Sequence, residues 1–161
     1  MSCLSKQIVV IGLGNPLVED EGIGQAVLQK LENNYACTDL DMVDLGTNAF
    51  SIIHALQNRK TAVIIDCAFM GLDAGEIRKF GPDEVKSGKE LLHASLHEAD
   101  ILGILDIYKR ITDSPAGIII FGIQPSSLRQ GLPLSTLLES RLVGYAETVA
   151  RELGLAEKTV V

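Results

Sequence analysis

Three stretches of the chain are apolar at nearly every position: QIVVIG (7–12), TAVIIDC (61–67) and GIIIFGIQ (117–124). None alternates polar with apolar residues, so each predicts a central strand covered on both faces. A fourth run, DMVDL (41–45), is shorter and more polar and predicts a strand nearer a sheet edge. Between the strands the apolar period becomes that of a helix. Ile23, Val27, Leu28 and Leu31 form one stripe over 22–34, and Phe50, Ile53 and Leu56 another over 49–57. Ile101, Leu102, Leu105 and Tyr108 do the same over 97–110, as do Leu137, Leu138, Val143 and Val149 over 134–153.

The alternation βαβαβ…αβα predicts an α/β fold: a three-layer sandwich with helices on both faces of a mostly parallel sheet. One connection is too short for that rule. Only AFMGLDA separates the third strand from GEIRKFG (75–81), another predicted strand. A parallel crossover needs about a dozen residues or more, so this strand should run antiparallel to the third. The sheet should be mixed.

Size and charge narrow the picture. A chain of 161 residues, 47% hydrophobic, can bury one substantial core, which predicts a single domain over 1–161. The net charge of −7, with Lys and Arg scattered, excludes a general nucleic-acid surface. Cys3, Cys37 and Cys67 are odd in number and form no C-x-x-C pair, which suits a reducing compartment. MSCLSKQIVVIG has a single lysine and an apolar run too short for a signal peptide. No stretch approaches the roughly 20 apolar residues of a membrane span. The expectation is a soluble, cytoplasmic protein with neither membrane nor nucleic acid as partner.

In open α/β sheets, ligands bind beyond the carboxyl ends of the strands. Those ends are GLGNPLVEDE, the Asp44-Leu-Gly-Thr47 segment, Asp66, and Gly122-Ile-Gln-Pro125; three of the four carry acids. GLGNPL suggests a dinucleotide loop, but Leu17 stands where GxGxxG needs its third glycine, and the adjacent acids would repel a pyrophosphate. Gly12 and Gly14 predict a tight strand-to-loop turn. Glu19, Asp20 and Glu21 precede a helix that should start near Gly22, where acids complement the helix dipole. Capping accounts best for Asp20, and Glu19 reads as a solvated side chain. Three acids exceed what capping needs, which leaves one to hold a ligand. Asp66 ends an uninterrupted apolar strand, a costly place for a carboxylate unless it is paired, hydrogen-bonded or metal-bound. Cys67 should face the opposite side of that strand.

Of the histidines, His54 lies within SIIHALQN and reads as a helix-surface residue. His93 and His97 are spaced i,i+4 in HASLHEAD and could share a metal on a continuous helix. Ser95 and Glu98, however, form a capping box that starts the helix near residue 96, leaving His93 in the preceding loop. His97 then falls in the first turn and can point back into the cleft. Glu21, Asp66 and His97 are therefore candidate ligands from three segments, a donor set that suits a transition metal such as nickel, zinc or iron.

Together, GLGNPLVEDEGIG, DLGT, IIDCAFMGLDAGEIRKF, SLH (95–97) and FGIQP resemble the NiFe-hydrogenase maturation endopeptidases, from about Ile8 to Gly154. The resemblance implies an enzyme that removes the C-terminal extension of a hydrogenase large-subunit precursor after nickel insertion. It implies a mixed five-stranded sheet, nickel carried by the precursor, and metal contacts from Glu21, Asp66 and His97. Nickel then either positions the scissile bond or also acts as a Lewis acid, so the catalytic candidates are Asp66, Glu21 and Asp44. Gly46, Thr47 and Gln124 are candidates for holding the substrate. Leu45 departs from the two glycines common after the second-strand aspartate in this family, which bears on the shape of that loop. The rival resemblance is to peptidyl-tRNA hydrolase, which shares GLGNP but continues with a glycine and a tyrosine rather than with Leu17, Val18 and acids. A third possibility is a non-catalytic chaperone that binds nickel and the precursor.

Overall fold

A computed structural model describes residues 6–87, 96–113 and 115–159, with backbone only for 85–87 and 96–100. The elements run β1 (Ile8–Leu13), α1 (Ile23–Asn34), β2 (Leu40–Gly46), α2 (Ser51–Leu56), β3 (Thr61–Cys67) and β4 (Ile77–Phe80). They continue with α3 (Pro82–Ser87), α4 (Leu96–Ile111), β5 (Gly117–Ile123) and α5 (Thr136–Leu153). A 3-10 turn, Glu19–Gly22, leads into α1.

The sheet order is β2-β1-β3-β5-β4. All neighbouring pairs are parallel except β4 with β5. The three apolar runs are the three central strands, and the more polar β2 is an edge, as their composition predicts. The short connection after β3 does reverse direction, and β4 takes its partner in β5 at the other edge.

Two apolar layers flank the sheet. Odd-numbered residues of β3, Val63, Ile65 and Cys67, join Ile23, Val27 and Leu31 of α1 and Leu138, Tyr145 and Val149 of α5. The even-numbered Ala62 and Ile64 join Ile52 and Leu56 of α2 and Ile101, Ile104, Leu105 and Tyr108 of α4. Full burial of each such aliphatic side chain contributes about 1.5–3 kcal/mol, so the layers hold the strand ends in place.

Two helical stripes are displaced from their predicted positions. Phe50 is 72% exposed, because α2 begins only at Ser51 and turns Ile52 and Leu56 inward. Val143 is exposed on α5, where Leu142, Tyr145 and Ala146 take the buried side. Among the described residues no helix is long and apolar enough to cross a membrane.

The chain leaves β1 through α1 on one face towards β2, whereas β3 leads away towards β4 and β5. Neighbouring strands whose continuations diverge leave a crevice at their carboxyl ends. That crevice lies between β1 and β3. It opens next to the loop carrying Glu21 and the strand end carrying Asp66.

Candidate functional site

Glycines bring α1 down onto the strand ends. A Cβ on Gly24 would lie 2.2 Å from the Leu13 carbonyl oxygen and 2.6 Å from that of Ile65. Gly14 has φ +128°, and a Cβ there would lie 1.8 Å from the Glu21 carbonyl oxygen. Only glycine fits such contacts. The loop predicted to be a tight turn is one, and its closeness sets the acidic 3-10 turn over the end of β3.

The three consecutive acids take different environments. Glu19 is 3% exposed, not solvated. Its carboxylate accepts hydrogen bonds from Arg129 N at 3.0 Å, Nε at 3.3 Å and Nη2 at 3.0 Å. These bonds hold its pKa down to about 2. Asp20 is fully buried and caps neither the turn nor α1. It accepts instead from Ser126 N (2.8 Å), Ser127 N (3.1 Å), Ser135 N (2.8 Å) and Ser135 Oγ (3.0 Å). Ser135 is the N-cap of α5, so Asp20 fastens the loop after β5 to the start of that helix. Glu21 remains half-buried.

Asp66, on the α2/α4 face of β3 by strand alternation, is 6% exposed. Its Oδ1 accepts from Cys67 N at 2.8 Å, while its buried Oδ2 has no hydrogen-bond donor among the described residues. Loss of water raises its pKa to about 7; the Cys67 N–H opposes that rise, and repulsion from Glu21 adds to it. Cys67 packs into the opposite layer, as its position in the strand requires.

Asp44 is exposed at the end of β2, and its Oδ1 accepts from Gly46 N at 2.9 Å. The β1 register passes from Gly12↔Asp44 to Leu13↔Gly46, so Leu45 is an extra, bulged residue. Bulges of this kind re-aim side chains at sheet rims. Gly46 has φ +54°, and its carbonyl accepts from Gly14 N at 2.8 Å. Thr47 follows, exposed. Gln124 is buried, and its Oε1 accepts from Met70 N at 2.7 Å and Leu72 N at 3.4 Å, which shapes the loop after Asp66.

His97 lies in the first turn of α4, and its side chain falls outside the described residues, as do His93 and Ser95. The helix starts at Leu96, in keeping with the predicted boundary. Near its far end, Tyr108 Oη accepts from Ala116 N at 2.9 Å, just before β5 begins. The first turn of α4 is therefore directed towards the carboxyl edge of the sheet. His54 is exposed on α2, as expected. No group of three or more His, Cys, Asp or Glu among the described residues is placed to hold a metal ion. Arg129 and Ser135, which answer Glu19 and Asp20, carry no local signal in the sequence that marks them as partners. They lie more than 100 residues from the acids they bind.

Residues 25–152 match the sequence model of a family described as hydrogenase maturation protease. The hydrogenase 2 maturation protease of Escherichia coli is 25% identical over 148 residues, 91% of this chain and 90% of that protein. The hydrogenase expression/formation protein HupD of Thiocapsa roseopersicina is 26% identical over 123 residues, 76% of this chain. That match spans only 56% of the longer relative's length. In structure, the chain is similar to the E. coli hydrogenase maturating endopeptidase HybD, with a TM-score of 0.80 and 24% identity. The similarity covers 94% of this chain and 96% of that one, and it shows the same α/β fold.

Proposed function

The chain belongs to the hydrogenase maturation protease family, and from that premise we propose that it removes the C-terminal extension of a NiFe-hydrogenase large-subunit precursor. The observation that carries the proposal is the buried Asp66 Oδ2, which has no donor among the described residues and has the Glu21 carboxylate nearby. A buried carboxylate repelled by another is costly as an anion, and a cation removes that cost. Nickel in the precursor, already held by the substrate, is the cation proposed. Oxygen donors from Glu21 and Asp66 with the imidazole of His97 are suited to it.

Nickel bound there would draw electron density from the scissile carbonyl or from water and would fix the substrate against the cleft. The chain's own residues have separate tasks. Glu21 and Asp66 discriminate loaded from unloaded precursor, because a metal cation makes the proximity of the two anions favourable. Asp44, exposed beside the Leu45 bulge, takes a proton, with Asp66 as the alternative base. Thr47 offers its hydroxyl to the substrate tail beside it, and Gly46, with φ +54°, supplies the turn that presents it. Gln124 serves the substrate indirectly, by shaping the loop at residues 70–72.

The test is incubation of nickel-loaded precursor with purified protein, followed by mass measurement. The expected product has lost its C-terminal extension, and nickel-free precursor stays uncut. Glu21→Gln, Asp66→Asn and His97→Ala should each abolish cleavage while leaving the circular dichroism spectrum unchanged. Wild-type rates in all three variants would overturn the assignment, and a precursor bound but never cut would identify a chaperone.

A further inference from the structure

One hydrogen-bonded path joins the two loops that carry the proposed reactive carboxylates, and it runs through a side chain with no role so far. Asp44 Oδ1 accepts from Gly46 N at 2.9 Å, and Gly46 O accepts from Gly14 N at 2.8 Å. Gly14 O in turn accepts from Gln25 Nε2 at 2.6 Å. Gln25 stands four residues after Glu21, one helical turn on. A Cβ on Gly14 would meet Glu21 O at 1.8 Å and Gln25 Oε1 at 3.6 Å, so the three residues are packed together. We infer that Gln25 is a positioning residue, clamping the bulged loop of Asp44 to the turn of Glu21 through Gly14.

The amide's other end argues against simple space-filling. Gln25 Oε1 is buried and has no hydrogen-bond donor among the described residues. A buried carbonyl left unanswered is destabilising, and an apolar side chain of the same shape would avoid that cost. Methionine would fill the volume equally well. What glutamine adds is the Nε2 donor, and that donor is spent on Gly14. The Leu45 bulge makes the clamp useful, because the extra residue interrupts the β1–β2 register beside Asp44. Without a tie the loop is free to change its pitch against Glu21.

The inference rests on the proposed processing reaction, so the experiment reads activity and geometry separately. Gln25→Met is compared with wild type in precursor cleavage and in amide hydrogen exchange followed by NMR. Cleavage should show kcat lowered roughly tenfold to a hundredfold, the range for a displaced reactive group, with KM for the precursor unchanged. Exchange at Gly14 N and Gly46 N should quicken, while core amides such as Ile64 keep wild-type protection. Wild-type exchange at both glycines would overturn the clamp, whatever the kinetics. Wild-type kcat in the variant would overturn its role in positioning. If the wild-type protein itself fails to cut the precursor, the processing reaction falls, and the glycine exchange still decides the clamp. Gln25→Asn, polar but one methylene too short to reach Gly14 O, carries the same readings should the Met variant fail to fold.

Discussion

Glu19 and Asp20 on one side, Glu21 and Asp66 on the other, are four carboxylates at a single edge of the sheet, and the fold treats the two pairs in opposite ways. Asp20 accepts four hydrogen bonds, and Glu19 has both the guanidinium and the backbone N–H of Arg129. Asp66 accepts one, from its own neighbour, and faces a like charge. Burial is similar in Asp20, Glu19 and Asp66, so burial does not separate structural acids from chemical ones. The supply of donors does. An acid ringed by N–H groups is stabilised as an anion by the fold, whereas Asp66, with one donor and Glu21 nearby, is not.

Asp66→Asn should break this contrast with the largest effect. In the role proposed for Asp66, as a ligand to the precursor's metal, its removal should cost cleavage more than the roughly 10–100-fold loss that follows removal of a ligand's supporting partner. Stability should move the other way. The native pKa of Asp66 is raised from 3.8 to about 7, so between those values the folded state binds more protons than the unfolded one. Its contribution is fully present below pH 3.8 and is lost as pH rises through 7. The loss amounts to about 4 kcal/mol in metal-free protein. The Asn variant lacks this term. Urea unfolding with a chelator present should therefore find it more stable than wild type near pH 8, with the advantage vanishing towards pH 4. An Asn variant less stable than wild type at pH 8 would put Asp66 among the structural acids.

Asp20→Asn should sharpen the other side. One of its two side-chain oxygens becomes an NH2 group facing N–H donors from Ser126, Ser127 or Ser135. Hydrogen bonds to a charged acceptor contribute about 1.5–3 kcal/mol each, and some survive on the remaining oxygen. A net loss of about 3 kcal/mol would lower Tm by roughly 6–12 °C for a chain of this size. Calorimetry checks the shift. Cleavage measured well below the transition should fall much less than in Asp66→Asn. A variant with wild-type Tm but no activity would reverse the roles assigned to the two pairs.

How far the chain discloses this division depends on the range of each interaction. The central strands, the β2 edge and the start of α4 follow from residues within one element, and all were legible. The burial of Asp66 was legible as well, since a lone carboxylate closing an apolar run is a local anomaly. The partners of Asp20 lie 106 to 115 residues away and that of Glu19 lies 110 away. Local sequence therefore suggests a cap at Asp20 and a solvated side chain at Glu19, and the distant partners make both buried acceptors instead. Phe50 and Val143 failed for a different reason. Their helical spacing is right, but where a short helix begins fixes its inward face, and on a long one several phases bury comparable apolar area. Gln25 was hidden because its bond reaches back across a turn whose geometry depends on Gly14.

The smallest effect expected belongs to Glu19→Gln, and its pH dependence distinguishes it from the others. Arg129 holds the Glu19 carboxyl, ordinarily near 4.5, down to about 2. A lowered folded-state pKa means that the unfolded chain binds the extra proton first. The stabilisation is thus complete above about pH 4.5, decays as the solution is acidified, and is gone below about pH 2. Arg129 is itself 68% exposed, so water competes for the pair and keeps its worth small. Tm plotted against pH should show wild type modestly above the Gln variant at neutrality, with the two curves converging between pH 4.5 and 2. This is opposite in sign to Asp66, whose anion is the unfavourable form. A gap of constant size across that acid range would mean that the ion pair is not its source. The Glu19 side chain would then matter through the neutral contacts that glutamine also disturbs.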